Sequence, residues 1–161
     1  MAGATLHGKL ALRLAIHRFQ AAFHRTRCAP RPDSPKVEVV VCSLNTLDPL
    51  RLTLATLRKH TRYPRFELRV IDNASSDGSA EYLRARAELG ELRLVEAERR
   101  YHSDWVEERF RSSDASIVVF VDSDMIFFES DWLDDIVGAF EADPEVGVVS
   151  GEPKPFTAGV V

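Results

Sequence analysis

Cysteine is nearly absent: Cys28 and Cys42 are the only two in 161 residues, too few for a disulfide framework and without metal-site spacing, which fits a reducing compartment. Glycine and proline number only eight each, and no internal repeat or low-complexity segment appears, so fibrous and collagenous classes are excluded. Long apolar runs are missing too. Ile117–Val121 is among the longest and falls far short of the roughly 20 residues that span a bilayer. What remains is an ordinary globular balance, 45% hydrophobic and 29% charged, with one domain as the prior. A chain near this length buries about 68–70% of its unfolded surface, enough for a core without covalent staples.

Acidic residues are scarce at the start. Residues 1–36 hold seven basic side chains and one acid, Asp33, whereas residues 37–161 hold 14 basic and 24 acidic ones. A basic arm thus precedes an acidic body, and the body's sign argues against a nucleic-acid partner, whose phosphates need a basic face. Within the arm, Leu12, Ile16, Phe19 and Phe23 share one face of a helix predicted over residues 5–27. Arg13 interrupts the apolar stretch and no small-residue cleavage site follows, so it does not read as a signal peptide. The arm suits peripheral contact with an anionic membrane or packing against a protein surface; a second stripe at Leu10 and Leu14 leans towards protein contact. Pro30, Pro32 and Pro35 mark the stretch Cys28–Lys36 as a linker.

From Val37 onwards strands alternate with helices. VEVVVC (37–42) reads as a buried strand, FELRVID (66–72) as a second, Leu92–Val95 as a third, Ile117–Val121 as the most apolar and most buried, and Val146–Val149 as a last one. Helices are predicted from an N-cap at Asp48 with Pro49 in the first turn, from Ser79 to about Leu89 with Gly90 as the stop, over 103–111, and from Ser130 or Asp131 to about Ala142. This order predicts an α/β fold, a mostly parallel sheet with helices on both faces. Ligands of such sheets sit beyond the carboxyl ends of the strands. Those ends carry Cys42-Ser43-Leu44-Asn45, Asp72-Asn73 and Asp122-Ser123-Asp124.

Asp122 and Asp124 follow five apolar residues. In an extended chain residues i and i+2 point the same way, so both carboxylates would face one site. Two anions so placed call for a hard cation, and magnesium or manganese takes one or two protein carboxylates together with substrate phosphates. The alternative is an Asp capping a turn. Asp72-Asn73 could read a nucleobase edge or open an Asx-type turn into Ser75-Ser76-Asp77-Gly78, where Asp77 and Ser79 suit cap chemistry. His102, a lone histidine, by itself reads as a surface or packed residue rather than a catalyst, and Trp105 and Trp132 suit packing.

Four blocks occur together: VEVVVCSLNT, FELRVIDNASSDGSAEYL, IVVFVDSDM and WLDDIVGAFEADPEVGVVSG. In order and spacing the chain over about residues 37–152 resembles the family-2 glycosyltransferases of GT-A fold. The resemblance implies a nucleoside-diphosphate-sugar donor, Mn2+ or Mg2+, an inverting displacement, a saccharide or lipid acceptor, and work in the cytoplasm or at the cytoplasmic membrane face. It implies Cys42, Leu44 and Asn45 beside the nucleotide, Asp72 or Asn73 at the base, Asp122 near the ribose or the metal shell, Asp124 on the metal, and His102 near the donor. Domains follow as a basic helix and linker at 1–35 and a GT-A-like nucleotide-sugar-binding domain at 36–161.

The chain departs from that pattern. Many members carry a hydroxyl residue and an aromatic where Cys42 and Leu44 stand. Their Arg-Asn pair has no counterpart in Trp105-Val106-Glu107-Glu108-Arg109. The sequence stops 37 residues past Asp124, which leads us to expect that the acceptor half is lacking. Of the acids in that stretch only Glu152 lies beyond the last predicted strand, as the candidate general base. Two rivals stand beside this reading: a non-catalytic nucleotide-sugar-binding module, and a phosphatase of haloacid-dehalogenase type with Asp122 as nucleophile.

Overall fold

The computed structural model describes residues 33–150, so the arm at 5–27 and Glu152 lie outside the described residues. The elements are β1 (Val37–Ser43), α1 (Leu47–His60), β2 (Phe66–Asp72), α2 (Ser79–Glu88), β3 (Arg93–Glu96), α3 (His102–Ser112), β4 (Ile117–Asp122) and α4 (Trp132–Ala142). The strands form one parallel sheet in the order β3-β2-β1-β4. This is the α/β architecture with helices on both faces that the alternation predicts.

The centre of the sheet is β1, where Val37, Val39, Val40 and Val41 are fully buried. Successive strand residues face opposite sides. Val37, Val39 and Val41 join Leu68 and Val70 of β2 against Leu50, Leu54 and Leu57 of α1, Leu83 of α2, and Leu133 and Val137 of α4. Val40 faces the other way, into a smaller cluster with Ile71 and Trp105 of α3. Each fully buried valine or leucine contributes about 1.5–3 kcal/mol before chain entropy is set against it.

The sheet corrects three expectations. The most apolar strand, β4, is not the most buried. It is an edge strand whose residues 117–121 are half-buried, because β1 pairs with one side of it and no described strand pairs with the other. Apolarity reports cover by helices on both faces, not rank in the sheet. Val146–Val149 forms no strand: the run has no ladder partner among the described residues, and Gly147 weakens it from within. The first helix starts at Leu47, before Asp48, because its end is capped from a distant loop: the Leu47 N–H donates to Asp77 Oδ2 at 2.8 Å. Pro49 still falls in the first turn, where no intrahelical N–H is needed. Gly90 does end α2, at φ 71°, with Glu91 N–H donating to the Arg86 carbonyl and Gly90 N–H to that of Ala87.

Near the amino edge of the sheet, charge is paired. Glu38 on β1 is 2% exposed, and it accepts from Arg69 Nε of β2 at 2.6 Å and from Arg109 of α3 at 2.9 Å. Burial pushes its carboxyl up, but hydrogen bonds from Ser113, Arg69 and Arg109 outweigh burial and hold it below the usual range. The triad ties α3 to the sheet.

Candidate functional site

The register brings four strand ends level at the carboxyl edge: Asp72 lies beside Glu96 on one side and Ser43 on the other, and Asp122 lies beside Cys42. Strands lie about 4.8 Å apart, so Asp72 and Asp122, two strands from each other, are about 10 Å apart along the edge.

A chain of hydroxyls holds the β4 end in place. Ser43 Oγ and Thr46 Oγ1 are 3.0 Å apart, Thr46 Oγ1 donates to Ser123 Oγ at 3.0 Å, and Thr53 Oγ1 of α1 donates to the Ser123 carbonyl at 2.9 Å. The middle residue of Asp122-Ser123-Asp124 is therefore fastened to α1 while both aspartates are exposed. No hydrogen bond or ion pair among the described residues engages either carboxylate. The extended-chain argument for their common direction stops at Asp122, since Ser123 and Asp124 already form a turn. No cluster of three or more His, Cys, Asp or Glu among the described residues could hold a metal. Two free carboxylate side chains fit a magnesium or manganese ion whose remaining ligands are phosphates and water, and do not fit an all-protein cage.

The β2 end is built differently. Asp72 is 3% exposed; its Oδ2 accepts from Ser75 N–H at 3.1 Å, and its Oδ1 is buried with no partner among the described residues. Ala74 follows at φ 63°, a left-handed conformation that costs a side-chain-bearing residue about 1–2 kcal/mol. Such strain gathers at functional loops.

The sequence profile of the family described as glycosyl transferase family 2 matches residues 38–158. The chain belongs to that family. Among solved structures it is similar to the mannosyltransferase PcManGT from Pyrobaculum calidifontis, in complex with GDP-Man and Mn2+, with 32% identity, a TM-score of 0.62, and 74% of this chain and 36% of that one covered. It also shares the fold of TarS from S. aureus (residues 1–349), at 21% identity and a TM-score of 0.57, with 74% and 38% covered. A TarS structure holding UDP-GlcNAc matches at a TM-score of 0.56, 21% identity, and 74% and 37% covered. These neighbours are GT-A glycosyltransferases, and the chain spans little more than a third of their length. No curated protein matches the sequence. The phosphatase alternative falls with family membership.

Several residues singled out for this family-2 domain have structural partners. Asn45, at φ 53°, accepts at Oδ1 from Ser76 N–H at 2.7 Å, and its own N–H donates to Ser75 Oγ, so it joins the β1 and β2 loops. Asn73 is 8% exposed and clasps the segment before α3: Nδ2 donates to the Arg100 carbonyl and Oδ1 accepts from Arg100 N–H, both at 2.8 Å, and from Trp105 Nε1 at 3.2 Å. Of the Asp72–Asn73 pair, Asp72 alone keeps a free acceptor. Cys42 is half-buried, and burial, then the Asp122 charge, pushes its thiol up to about 11, so it stays protonated and inert. Leu44 is half-buried. His102 is exposed and is the first residue of α3, not the one before it.

Sequence reasoning missed Thr46 and Thr53. Their partners lie 77 and 70 residues away, and a threonine in or before a helix gives no local sign of such a bond. Asp77, read as a cap, serves two helices: Oδ2 takes the Leu47 N–H, and Oδ1 takes the Ser79 N–H at 3.0 Å and hydroxyl at 2.6 Å.

Proposed function

We propose that this family-2 domain binds a nucleoside-diphosphate sugar together with Mn2+ or Mg2+ and serves an inverting transfer to a saccharide or lipid acceptor. The observation that carries the reading is the pair of exposed carboxylates, Asp122 and Asp124, without a partner among the described residues, on a turn fastened through Ser123. They stand at the same edge as Asp72, whose buried Oδ1 lacks a partner among the described residues. The GDP-Man and Mn2+ found with a 32%-identical relative support the same chemistry.

In this reading Asp72 meets the base, Asp124 and then Asp122 hold the metal, and Cys42 and Leu44 line the nucleotide. A bound divalent ion would neutralise the diphosphate and so ease its departure. The fastened turn fixes the carboxylates before the donor arrives, so little ordering cost falls on binding. In the displacement an acceptor hydroxyl bonds to the anomeric carbon, the bond from that carbon to the diphosphate oxygen breaks, and a base takes the hydroxyl proton. Glu152 is the residue proposed as that base. The reading also assigns the protein to the cytoplasm, with residues 5–27 meeting a membrane surface or a protein partner.

Calorimetry with GDP- and UDP-sugars tests it. Binding should be seen with Mn2+ or Mg2+ and vanish in EDTA. Equal affinity in both conditions overturns the metal clamp, and no binding of any nucleotide sugar overturns the reading as a whole.

A further inference from the structure

Resting on the nucleotide-sugar reading above, we infer that Tyr101 is the base-stacking residue of the donor site, its ring covering one face of the nucleobase. Three observations lead there. First, Tyr101 is 82% exposed, the most exposed large apolar side chain among the described residues. It is no frayed surface residue, because its backbone is anchored on both sides. Asn73 grips both main-chain groups of Arg100, and the Tyr101 carbonyl accepts from Asp104 N–H at 3.1 Å in the first turn of α3.

Second, the anchor places the residue at the right edge. Ala97 N–H donates to the Asp72 carbonyl at 3.1 Å, and Arg100 is bonded to Asn73, so residues 97–100 run along the end of β2. Tyr101 is the next residue. The nearby buried Asp72 Oδ1 has no partner, an acceptor waiting for a donor from outside the described chain.

Third, the neighbouring large ring of this segment is not free. Trp105 is 2% exposed, its Nε1 is held by Asn73, and the Arg100 guanidinium lies 4.5 Å from its ring centroid. Leu44, on the β1 side, has no ring. Arg99, two residues before Tyr101, is exposed without an ion-pair partner among the described residues, and the neighbouring His102 is exposed. An aromatic face near an arginine with no ion-pair partner among the described residues matches a base joined to a diphosphate. Stacking tolerates any base, so Tyr101 supplies affinity, and hydrogen bonding at Asp72 supplies the choice of base.

The test measures the affinity of the 161-residue chain, with Mn2+ present, for UDP, GDP and pyrophosphate, in wild type, Tyr101→Phe and Tyr101→Ala. Tyr101→Ala should weaken the nucleotide that wild type binds by about tenfold or more and leave pyrophosphate unchanged, while Tyr101→Phe should match wild type. If wild type binds a nucleotide and Tyr101→Ala binds it equally well, the stacking inference is overturned and the nucleotide-sugar reading stands. Equal losses for nucleotide and pyrophosphate also overturn it, since the ring would then be supporting the loop. If wild type binds neither nucleotide nor pyrophosphate, the reading itself falls and takes the inference with it.

Discussion

At the amino edge of the sheet Glu38 is buried and matched by two arginines, and Lys36 bridges Glu67 at 3.1 Å and Asp114 at 2.9 Å. At the carboxyl edge, among the described residues, Asp122 and Asp124 are exposed and unmatched, and Asp72 keeps one buried oxygen without a partner. The same four strands bear both edges. Paired charge holds elements together; unpaired charge, kept in position by neutral hydroxyls, is what a cationic or hydrogen-bond-donating ligand can use. Within the carboxyl edge the contrast repeats: Asn45, Asn73 and Asp77 spend their polar atoms on neighbouring loops, and the aspartates of the β4 turn do not.

Removing charge from each edge in turn separates the two roles. Glu38→Ala should destabilise the fold by about 3–5 kcal/mol, because Arg69 and Arg109, with side chains only 17% and 14% exposed, would keep buried charge without compensation. Chemical denaturation measures it; a loss under 1 kcal/mol would mean that water reaches the triad and the pairing is ornamental. Asp124→Ala should do the reverse. Its carboxylate has no partner among the described residues, so stability should stay within about 0.5 kcal/mol of wild type. Metal-dependent nucleotide affinity should fall by about 2–5 kcal/mol, read by calorimetry. A variant that melts early yet binds normally would reverse the roles assigned to the two edges.

Much of this arrangement is legible in the sequence, unevenly so. The β-branched run 37–42 and the alternation at 66–72 reveal strands because burial dictates their composition. The polar residues that end them mark the ligand edge because a parallel sheet collects its strand ends there. The edge position of β4 is not legible, since helices on both faces make an edge strand as apolar as a central one. Nor is the division of labour at the loops. Asn73 and Asp72 are neighbours of similar chemistry, and only the fold shows that the segment before α3 consumes the first while half of the second stays free. The hydroxyl chain through Thr46 and Thr53 joins residues 70 or more positions apart, beyond any local pattern.

Asp77 tests whether a carboxylate at the carboxyl edge can be purely structural. Asp77 is exposed, yet its hydrogen bond with the Ser79 hydroxyl, helped by the N–H groups of Leu47 and Ser79, holds its carboxyl below the usual range. A depressed carboxyl stabilises the fold fully above its unfolded value, near 3.9, and loses that increment as pH falls through the lower folded value. Asp77→Ala should cost about 1 kcal/mol at neutral pH, the ordinary worth of a helix cap. The gap between wild type and variant should hold steady from about pH 7 to pH 5 and close below about pH 4. Asp77→Asn keeps a neutral acceptor and should retain part of the gap without its pH dependence. Donor binding should be unaffected in both variants at neutral pH, because the carboxylate has its partners within the chain. A gap that persists unchanged at pH 2.5 would show that packing of the loop, and not the charge, holds α1 and α2 to it. A loss of nucleotide binding without a loss of stability would move Asp77 from the built part of this edge to the part left open for ligand.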